Sequence, residues 1–391
     1  MRIVVLDYAG HIPQADLARN LAKLGHNVRH VYCSDYVSGR GAVDRLEGDP
    51  TYLEFISISI KNTYNRYNPI ERFFHELKSV RKFLEAILNF KAEVVIYSNV
   101  PLLTMFFLAK ATKKRNIPYI HWWQDVISIA MGNALSKFGL FAYPAKRLLI
   151  HMETWIVAHA KTVIAIAPNF ERIYRKWGLD LNNFVIYPNW TPSIMFSEPP
   201  RIPHSQMTSD KKFVVYAGTL GLKHRPELLI ALADNAAFRK LNGVVVVVSQ
   251  GLGRKFLDQP ENRRKNVWLM DFLEISELSG VFFQASVLIA ILEPEASEFS
   301  VPSKIMSYLT TGKPIVASIS SENASAIILT ETGAGIVVPP TSSDNTFADA
   351  VLTILTDADL SSRMGNAAFQ FAVDNFDGNK AAQFFLNQIL K

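Results

Sequence analysis

Val301-Pro302-Ser303-Lys304-Ile305-Met306-Ser307-Tyr308-Leu309-Thr310-Thr311-Gly312-Lys313-Pro314-Ile315-Val316 is the stretch from which the fold can be read. A polar loop enters a helix at Ser303-Lys304, Gly312 ends that helix, and Pro314 opens a strand. Upstream, Val287–Leu292 reads as another strand, and the five valines Val244–Val248 read as a strand buried on both faces of a parallel sheet. Lys212–Tyr216, the turn Gly218–Lys223 and a helix over Pro226–Asp234 complete the pattern. The back half is therefore an α/β domain.

The front half repeats the alternation. Arg2–Leu6 is a strand, Asp7-Tyr8-Ala9-Gly10-His11 a loop, and Pro13 opens a helix with Leu17, Leu21 and Leu24 at helical spacing. Gly25 stops it, and Val28–Cys33 follows as a strand, giving a β-loop-α-β unit. Further strands are expected at Glu93–Tyr97, Tyr119–Trp123 and Thr162–Ala167. Phe73, Leu77, Val80, Leu84 and Leu88 mark the buried face of a helix whose other face is basic through Arg72, Lys78, Arg81 and Lys82.

A proline-rich stretch from Pro188 to Pro203 separates the halves. The expected organisation is a first domain over 1–190, a linker over 191–211 and a second domain over 212–379. A last amphipathic helix over 380–391, with Ala381, Phe384, Phe385 and Ile389 on one face, is free to pack back on the first domain.

The 391 residues, 49% hydrophobic and 19% charged, suffice for two such cores and leave no disordered tract. One cysteine, Cys33, excludes a disulfide within the chain and a Cys-based zinc site, and no signal-peptide pattern follows Met1, so a cytoplasmic location is expected. No apolar run reaches the ~18 residues that a spanning helix needs.

Charge is uneven. Residues 1–200 carry 24 Lys and Arg against 16 Asp and Glu, whereas 201–391 carry 17 against 19. A surplus of eight positive charges confined to the front half points to a surface that meets anions, either phospholipid head groups or a phosphorylated substrate. Residues 131–160, aromatic-rich and dotted with Lys137, Lys146 and Arg147, suit either a membrane-facing helix or an ordinary helix over a core.

In parallel sheets ligands bind beyond the carboxyl ends of strands, so the loops there hold the candidate chemistry. Gly218-Thr219-Leu220-Gly221-Leu222-Lys223 offers glycines for close approach to a phosphate and a lysine for its charge. Ser249-Gln250-Gly251-Leu252-Gly253-Arg254 offers backbone groups, and Met270-Asp271-Phe272-Leu273 an aromatic edge for a base. Ser303, the first amides of its helix and Lys304 would suit a diphosphate. In the front half, Gln124 and Asp125 end a strand, and Gly10 and His11 lie in the first loop. His121, mid-strand, reads as a satisfied core histidine.

Gly-Thr-Leu-Gly-x-Lys, then Gln-Gly-Leu-Gly, then Val-Pro-Ser-Lys-x-x-x-Tyr-Leu-x-x-Gly-Lys-Pro resembles the donor domain of family 4 glycosyltransferases. Leu24-Gly25-His26-Asn27-Val28 and Tyr187-Pro188-Asn189-Trp190 extend the likeness to the front half and the hinge. The Pro-Ser-Lys wording is similar to enzymes of O-antigen and colanic acid type polysaccharide biosynthesis. The resemblance implies a GT-B fold, two Rossmann-like domains facing each other across a cleft. It also implies retaining transfer of a hexose or N-acetylated sugar from a UDP- or GDP-linked donor, with no metal and no cofactor.

Charge on the leaving diphosphate would fall to Lys223, Lys304 and backbone amides, and the donor would touch Gly218, Thr219, Gly221, Gln250, Gly251, Phe272 and Ser303. Asp125 would orient an acceptor hydroxyl, with Gln124, Gly10 and His11 beside it. The acceptor would be a saccharide, free or on a lipid diphosphate, at the inner face of the plasma membrane.

The sequence departs from the family at its two glutamates eight positions apart: Phe299 and Ser307 stand there, leaving Ser307 and Glu298 as substitutes. Asp357-Ala358-Asp359 has a metal-binding spacing but reads as a helix start. Three alternatives stay open: a GT-B-fold sugar-nucleotide epimerase, a phosphorylase, and a non-catalytic sugar-binding or scaffold partner. Nucleic-acid binding has no supporting motif.

Overall fold

The computed structural model describes residues 1–35, 43–60, 68–136, 139, 143–192, 207–208, 210–221, 224–292 and 302–391. The chain divides into two units, Met1–Pro188 with Gly378–Lys391, and Asn189–Asp377.

The first unit is built on β1 (Arg2–Asp7), β2 (Asn27–Cys33), β3 (Leu53–Ile58), β4 (Val94–Ser98), β5 (Tyr119–Trp123), β6 (Thr162–Ala165) and β7 (Phe184–Ile186). The sheet order is β3-β2-β1-β4-β5-β6-β7, with every neighbouring pair parallel. Ile3, Val4, Val5 and Leu6 have no exposed surface, as expected of a central parallel strand covered on both faces. The two sheet edges, β3 and β7, were not anticipated. Both are partly exposed; β3 is interrupted by Glu54 and Ser57, and β7, though apolar, is only three residues long.

The helix Ile12–Lys23 has Pro13 in its first turn, and Gly25 follows its end at φ +89. The helix Pro69–Asn89 is capped by Asn68, whose side chain accepts from Ile70 N at 3.0 Å. Its buried face corrects the sequence expectation. His75, Glu76, Ser79, Phe83 and Ile87 point inward, whereas Phe73 and Leu88 of the expected stripe are exposed, as is Phe74. Burial of polar groups there is possible because each finds a partner: Arg72 holds Glu76 at 2.6 Å, and Ser79 Oγ lies 3.1 Å from Thr104 Oγ1.

Among the described residues of 127–159 lie the α-helices Ile127–Leu135 and Tyr143–His159. Glu153 of the second is buried and accepts from Ile127 N (3.1 Å), Ser128 N (2.7 Å) and Trp123 Nε1 (3.0 Å). It takes the two amides that open the first helix, the capping part Asp125 would otherwise have been available to play. The helix Gly378–Leu390 lies against Ile12–Lys23, sets Phe385 edge-to-face against Trp122 with ring centres 4.8 Å apart, and receives Lys161 Nζ on the Ile389 carbonyl at 2.6 Å.

The second unit holds β8 (Lys212–Ala217), β9 (Gly243–Val248), β10 (Val267–Met270), β11 (Val287–Ile291), β12 (Ile315–Ser318) and β13 (Gly335–Val338). All pairs are parallel, in the order β10-β9-β8-β11-β12-β13. The valine strand β9 is buried throughout. Strand order reverses between β1 and β4 in one unit and between β8 and β11 in the other, which is the doubly wound, Rossmann-like plan and sets the two places where ligands are expected. Asp357 accepts from Leu360 N at 2.8 Å and so caps the helix Ala358–Asn375, which accounts for the Asp-x-Asp spacing.

Candidate active site

In the second unit β8 and β11 pair only at Val214–Val287 and Val215–Leu288 before they part. Tyr308 fills the gap. Ala217 N donates to its hydroxyl at 2.9 Å, and the same oxygen lies 3.2 Å from the Ala217 carbonyl and 3.3 Å from that of Ile289. Tyr308 stands on the helix Ser303–Leu309, where Lys304 occupies the same face one turn earlier. The Lys-x-x-x-Tyr spacing thus anchors the helix by Tyr308 and delivers Lys304 to the carboxyl end of β8.

There Lys304 Nζ donates to the Tyr216 hydroxyl at 2.5 Å, and Tyr216 donates to the Thr219 carbonyl at 2.9 Å. Burial alone pulls the Lys304 ammonium down to about 7; no carboxylate offsets it among the described residues. Gly218 sits at φ +124, and a Cβ on it would lie 3.3 Å from Lys304 Cε. The glycine therefore supplies both the unusual backbone angle and the space for the lysine stem.

The other expected donor residues fall around this point in different ways. Ser303 is exposed at the start of the helix, and Ser307 is half-buried with its Oγ 3.4 Å from Thr191 Oγ1. Thr219 is exposed, and Gly221 N donates to His224 Nδ1 at 2.8 Å. The Gln250 carbonyl accepts from Leu220 N at 3.1 Å, which ties the second loop to the first. Gly251 and Gly253 make that junction possible, since a Cβ on either would come within 2.8 Å of Leu220. Their smallness is used by loop packing. Phe272 is half-buried after β10. Lys223 and Glu298, with Phe299, lie outside the described residues. Arg254, not singled out as a site residue, opens the helix after β9 with a buried Nε and one guanidinium nitrogen 3.4 Å from Asp271.

In the first unit the carboxyl ends of β1, β4 and β5 gather polar groups. Asp7, fully buried, accepts from the His11 backbone N–H, and its Oδ1 lies 2.9 Å from His11 Nδ1. Burial would raise the Asp7 carboxyl, but His11, through charge and hydrogen bonds, and His30 hold it below its ordinary value. Burial opposes charge on His11 too, yet Asp7, with a contribution from Asp125, leaves the imidazole raised. Gly10 turns the loop at φ +75, where a Cβ would lie 2.9 Å from Val43 Cγ1. Gln124 is buried and Asp125 half-buried just after β5. Sequence reading placed His11, Gly10, Gln124 and Asp125 here but missed Asp7. The available signal was a carboxylate ending a strand four residues before a histidine.

His121 is a correction. Its ring is buried, but neither nitrogen has a hydrogen-bond partner among the described residues, and burial pulls it down to about 3. Cys33, Asp35 and His75 bring one potential metal-ligand atom each within 4.8 Å of one another. They are already engaged without an ion: His75 Nε2 lies 3.1 Å from Asp35 Oδ2, His75 Nδ1 2.8 Å from Tyr8 Oη, and Ser59 Oγ donates to Asp35 Oδ1 at 2.6 Å. A hydrogen-bonded chain explains the cluster.

Residues 14–190 match the model of the glycosyl transferase 4-like domain, and residues 211–357 that of the glycosyl transferases group 1. No curated protein sequence matches. Among solved structures the chain is similar to sucrose-phosphate synthase from Thermosynechococcus elongatus, with TM-score 0.74 and 17% identity over 100% of this chain and 98% of that one. Anabaena HepE in complex with UDP and glucose gives TM-score 0.68 and 14% identity over 100% and 99%. WaaG, described as a glycosyltransferase involved in lipopolysaccharide biosynthesis, gives 0.66 and 16% over 98% and 99%.

Proposed function

The chain belongs to the family 4 glycosyltransferases of GT-B fold, and on that premise we propose that it moves a hexose or N-acetylated sugar, with retention, from a nucleotide-sugar to a saccharide acceptor in cell-surface polysaccharide biosynthesis. One observation carries the donor part of this reading. Lys304 is held at the strand-order reversal of the second unit, half-buried, with no carboxylate to neutralise it among the described residues. A desolvated ammonium beside a glycine turn stabilises charge that develops on a leaving diphosphate, and it needs neither metal nor cofactor to do so. UDP in the HepE structure favours a uridine donor, and the role given for WaaG favours a surface-polysaccharide product. Asp125 and Gln124 would receive the acceptor in the first unit.

The acceptor is proposed to be lipid-linked, presented at an anionic membrane surface. No described helix is long and apolar enough to cross a membrane. The neighbouring helices Pro69–Asn89, Leu102–Lys113 and Tyr143–His159 expose Phe73, Phe74, Phe107, Tyr143 and Leu148 among lysines and arginines. Flotation with anionic liposomes at low salt checks this, and failure to float removes it.

UDP or GDP should raise the melting temperature of the purified protein, and Lys304→Ala should lower turnover about 100-fold or more with the fold intact. Full activity in that variant would overturn the donor assignment, and undiminished transfer in EDTA is expected. Turnover of the donor without any acceptor would favour an epimerase; neither binding nor turnover would leave a scaffold.

A further inference from the structure

The second unit carries a cavity of about 590 Å³ at the amino-terminal end of its sheet, opposite the carboxyl ends where Lys304 lies. Its walls gather at the starts of β8, β11 and β12, and its volume is in the range that small-molecule sites occupy. Three lysines line it, Lys211, Lys212 and Lys313, and no carboxylate does so among the described residues. That concentration of one sign runs against its background, because residues 201–391 carry 19 Asp and Glu against 17 Lys and Arg. None of the three has an ion-pair partner among the described residues. The nearby acids are used elsewhere. Asp210, held below its ordinary value by the Thr208 hydroxyl and by Lys211, lines the neighbouring cavity instead. Asp357 is spent as the cap on Leu360 N at 2.8 Å. The neighbouring cavity gives the contrast: its Arg239 and Arg264 both pair with Asp234, so their charge is already met.

Lys313 is the one drawn out of water. Its ammonium lies 5.4 Å from the centre of the Phe283 ring, and burial pulls it below its ordinary value. A partly desolvated cation with an aromatic neighbour and no acid beside it is stabilised by an arriving anion. The walls are also fixed in advance. Gly365 lets the helix Ala358–Asn375 pack directly on the turn that carries Lys313, since a Cβ there would collide with the Gly312 carbonyl. Gln284, ending the helix Ile275–Gln284, donates to the Met207 carbonyl and ties down the segment that leads to Lys211. A cavity held this way loses little freedom when it is filled.

We propose that this cavity is a second anion site, separate from the donor site, that takes a small organic phosphate. The phosphate sits on Lys212 and Lys313, the organic part lies against Phe283, and Ser361 and Ser362 supply hydroxyls. The proposal stands independently of the glycosyltransferase reading, because every residue it uses lies away from Lys304.

The test titrates the full chain with ribose 5-phosphate and AMP at constant ionic strength, so that screening is not read as binding. Calorimetry is expected to give Kd below about 1 mM for at least one of them. That affinity should be unchanged in Lys304→Ala and weakened about tenfold or more in the Lys212→Gln, Lys313→Gln double variant. In the wild type, acetylation of Lys313 by acetic anhydride, followed by mass spectrometry, should slow at least threefold with the ligand. Acetylation of the exposed Lys176 should not change. This protection is read without any variant, so a double variant that fails to fold leaves the test intact. Binding lost in Lys304→Ala places the phosphate at the donor site and overturns the proposal. So does unprotected Lys313, or equal protection by ribose or adenosine lacking the phosphate. Protection by phosphatidylglycerol vesicles but by neither soluble ester assigns the lysines to a lipid surface and overturns the free ligand.

Discussion

Lys304 Nζ lies 2.5 Å from the Tyr216 hydroxyl and 3.8 Å from the centre of the same ring. The amine thus has an aromatic and a hydroxyl neighbour where a lysine ordinarily has water. Its charge is tolerated rather than compensated, and an arriving diphosphate would supply the missing counter-charge.

Proton uptake should accompany nucleotide binding. Free Lys304 is about half-neutral near pH 7, whereas beside a diphosphate it would return toward its ordinary 10.5. Calorimetry of UDP binding at pH 8 in buffers of different ionisation enthalpy should show close to one proton bound, and Lys304→Met should abolish the difference. Without ligand the sign is also fixed. The unfolded chain keeps this proton up to 10.5 and the folded one loses it near 7, so the burial cost is full below 7 and fades as pH rises between those values.

Gly218→Ala should separate donor binding from folding. Its φ of +124 and the 3.3 Å approach to Lys304 Cε mean that a methyl group there strains the loop and displaces the lysine. Strain of about 1–3 kcal/mol is expected, measurable by denaturation, together with at least a tenfold weaker affinity for UDP.

Acid should act on the first unit through His30. This residue is fully buried, neither ring nitrogen has a hydrogen-bond partner among the described residues, and it titrates at about 4 in the fold. The unfolded chain binds the proton first, so stability is lost as pH falls from about 6.5 toward 4, by about 3 kcal/mol in all. His30→Leu should leave stability at pH 7 unchanged or higher and flatten that acid dependence in urea titrations.

Phe385→Ala should destabilise the first unit. The ring is fully buried against Trp122 at 4.8 Å. A loss of about 3–5 kcal/mol is expected for a buried Phe-to-Ala change, seen as an earlier unfolding transition that UDP does not correct.

The alternation of strand and helix was legible because interior parallel strands must be apolar on both faces. The five valines of β9 and the run at β1 announce themselves for that reason. The edge strand β3 is interrupted by Glu54 and Ser57, and β7 and β13 offer only three apolar residues each, Phe184–Ile186 and Ile336–Val338, so all three went unread. The helix Pro69–Asn89 misled because polar residues such as Glu76 and Ser79 are buried with partners that periodicity cannot see. The meeting of Lys304 and Gly218 at the carboxyl end of β8 follows from loop positions that the sequence shows. Asp7 was not legible, since its importance depends on a side chain four residues on. The glycines of the second loop had a reason in the first, the approach of Leu220, that no local reading supplies.

The passage of Gly378–Lys391 back to the unit of Met1–Pro188 makes Asn189–Asp377 an insertion into its host. On the ribosome, the second unit can complete its sheet first. The first must wait, with the surface of Trp122 and of the helix Ile12–Lys23 uncovered, until its last helix emerges. For construction of hybrids the same topology means that Asn189–Asp377 can be exchanged as one continuous cassette, whereas a fragment ending at Pro188 would lack part of its own core.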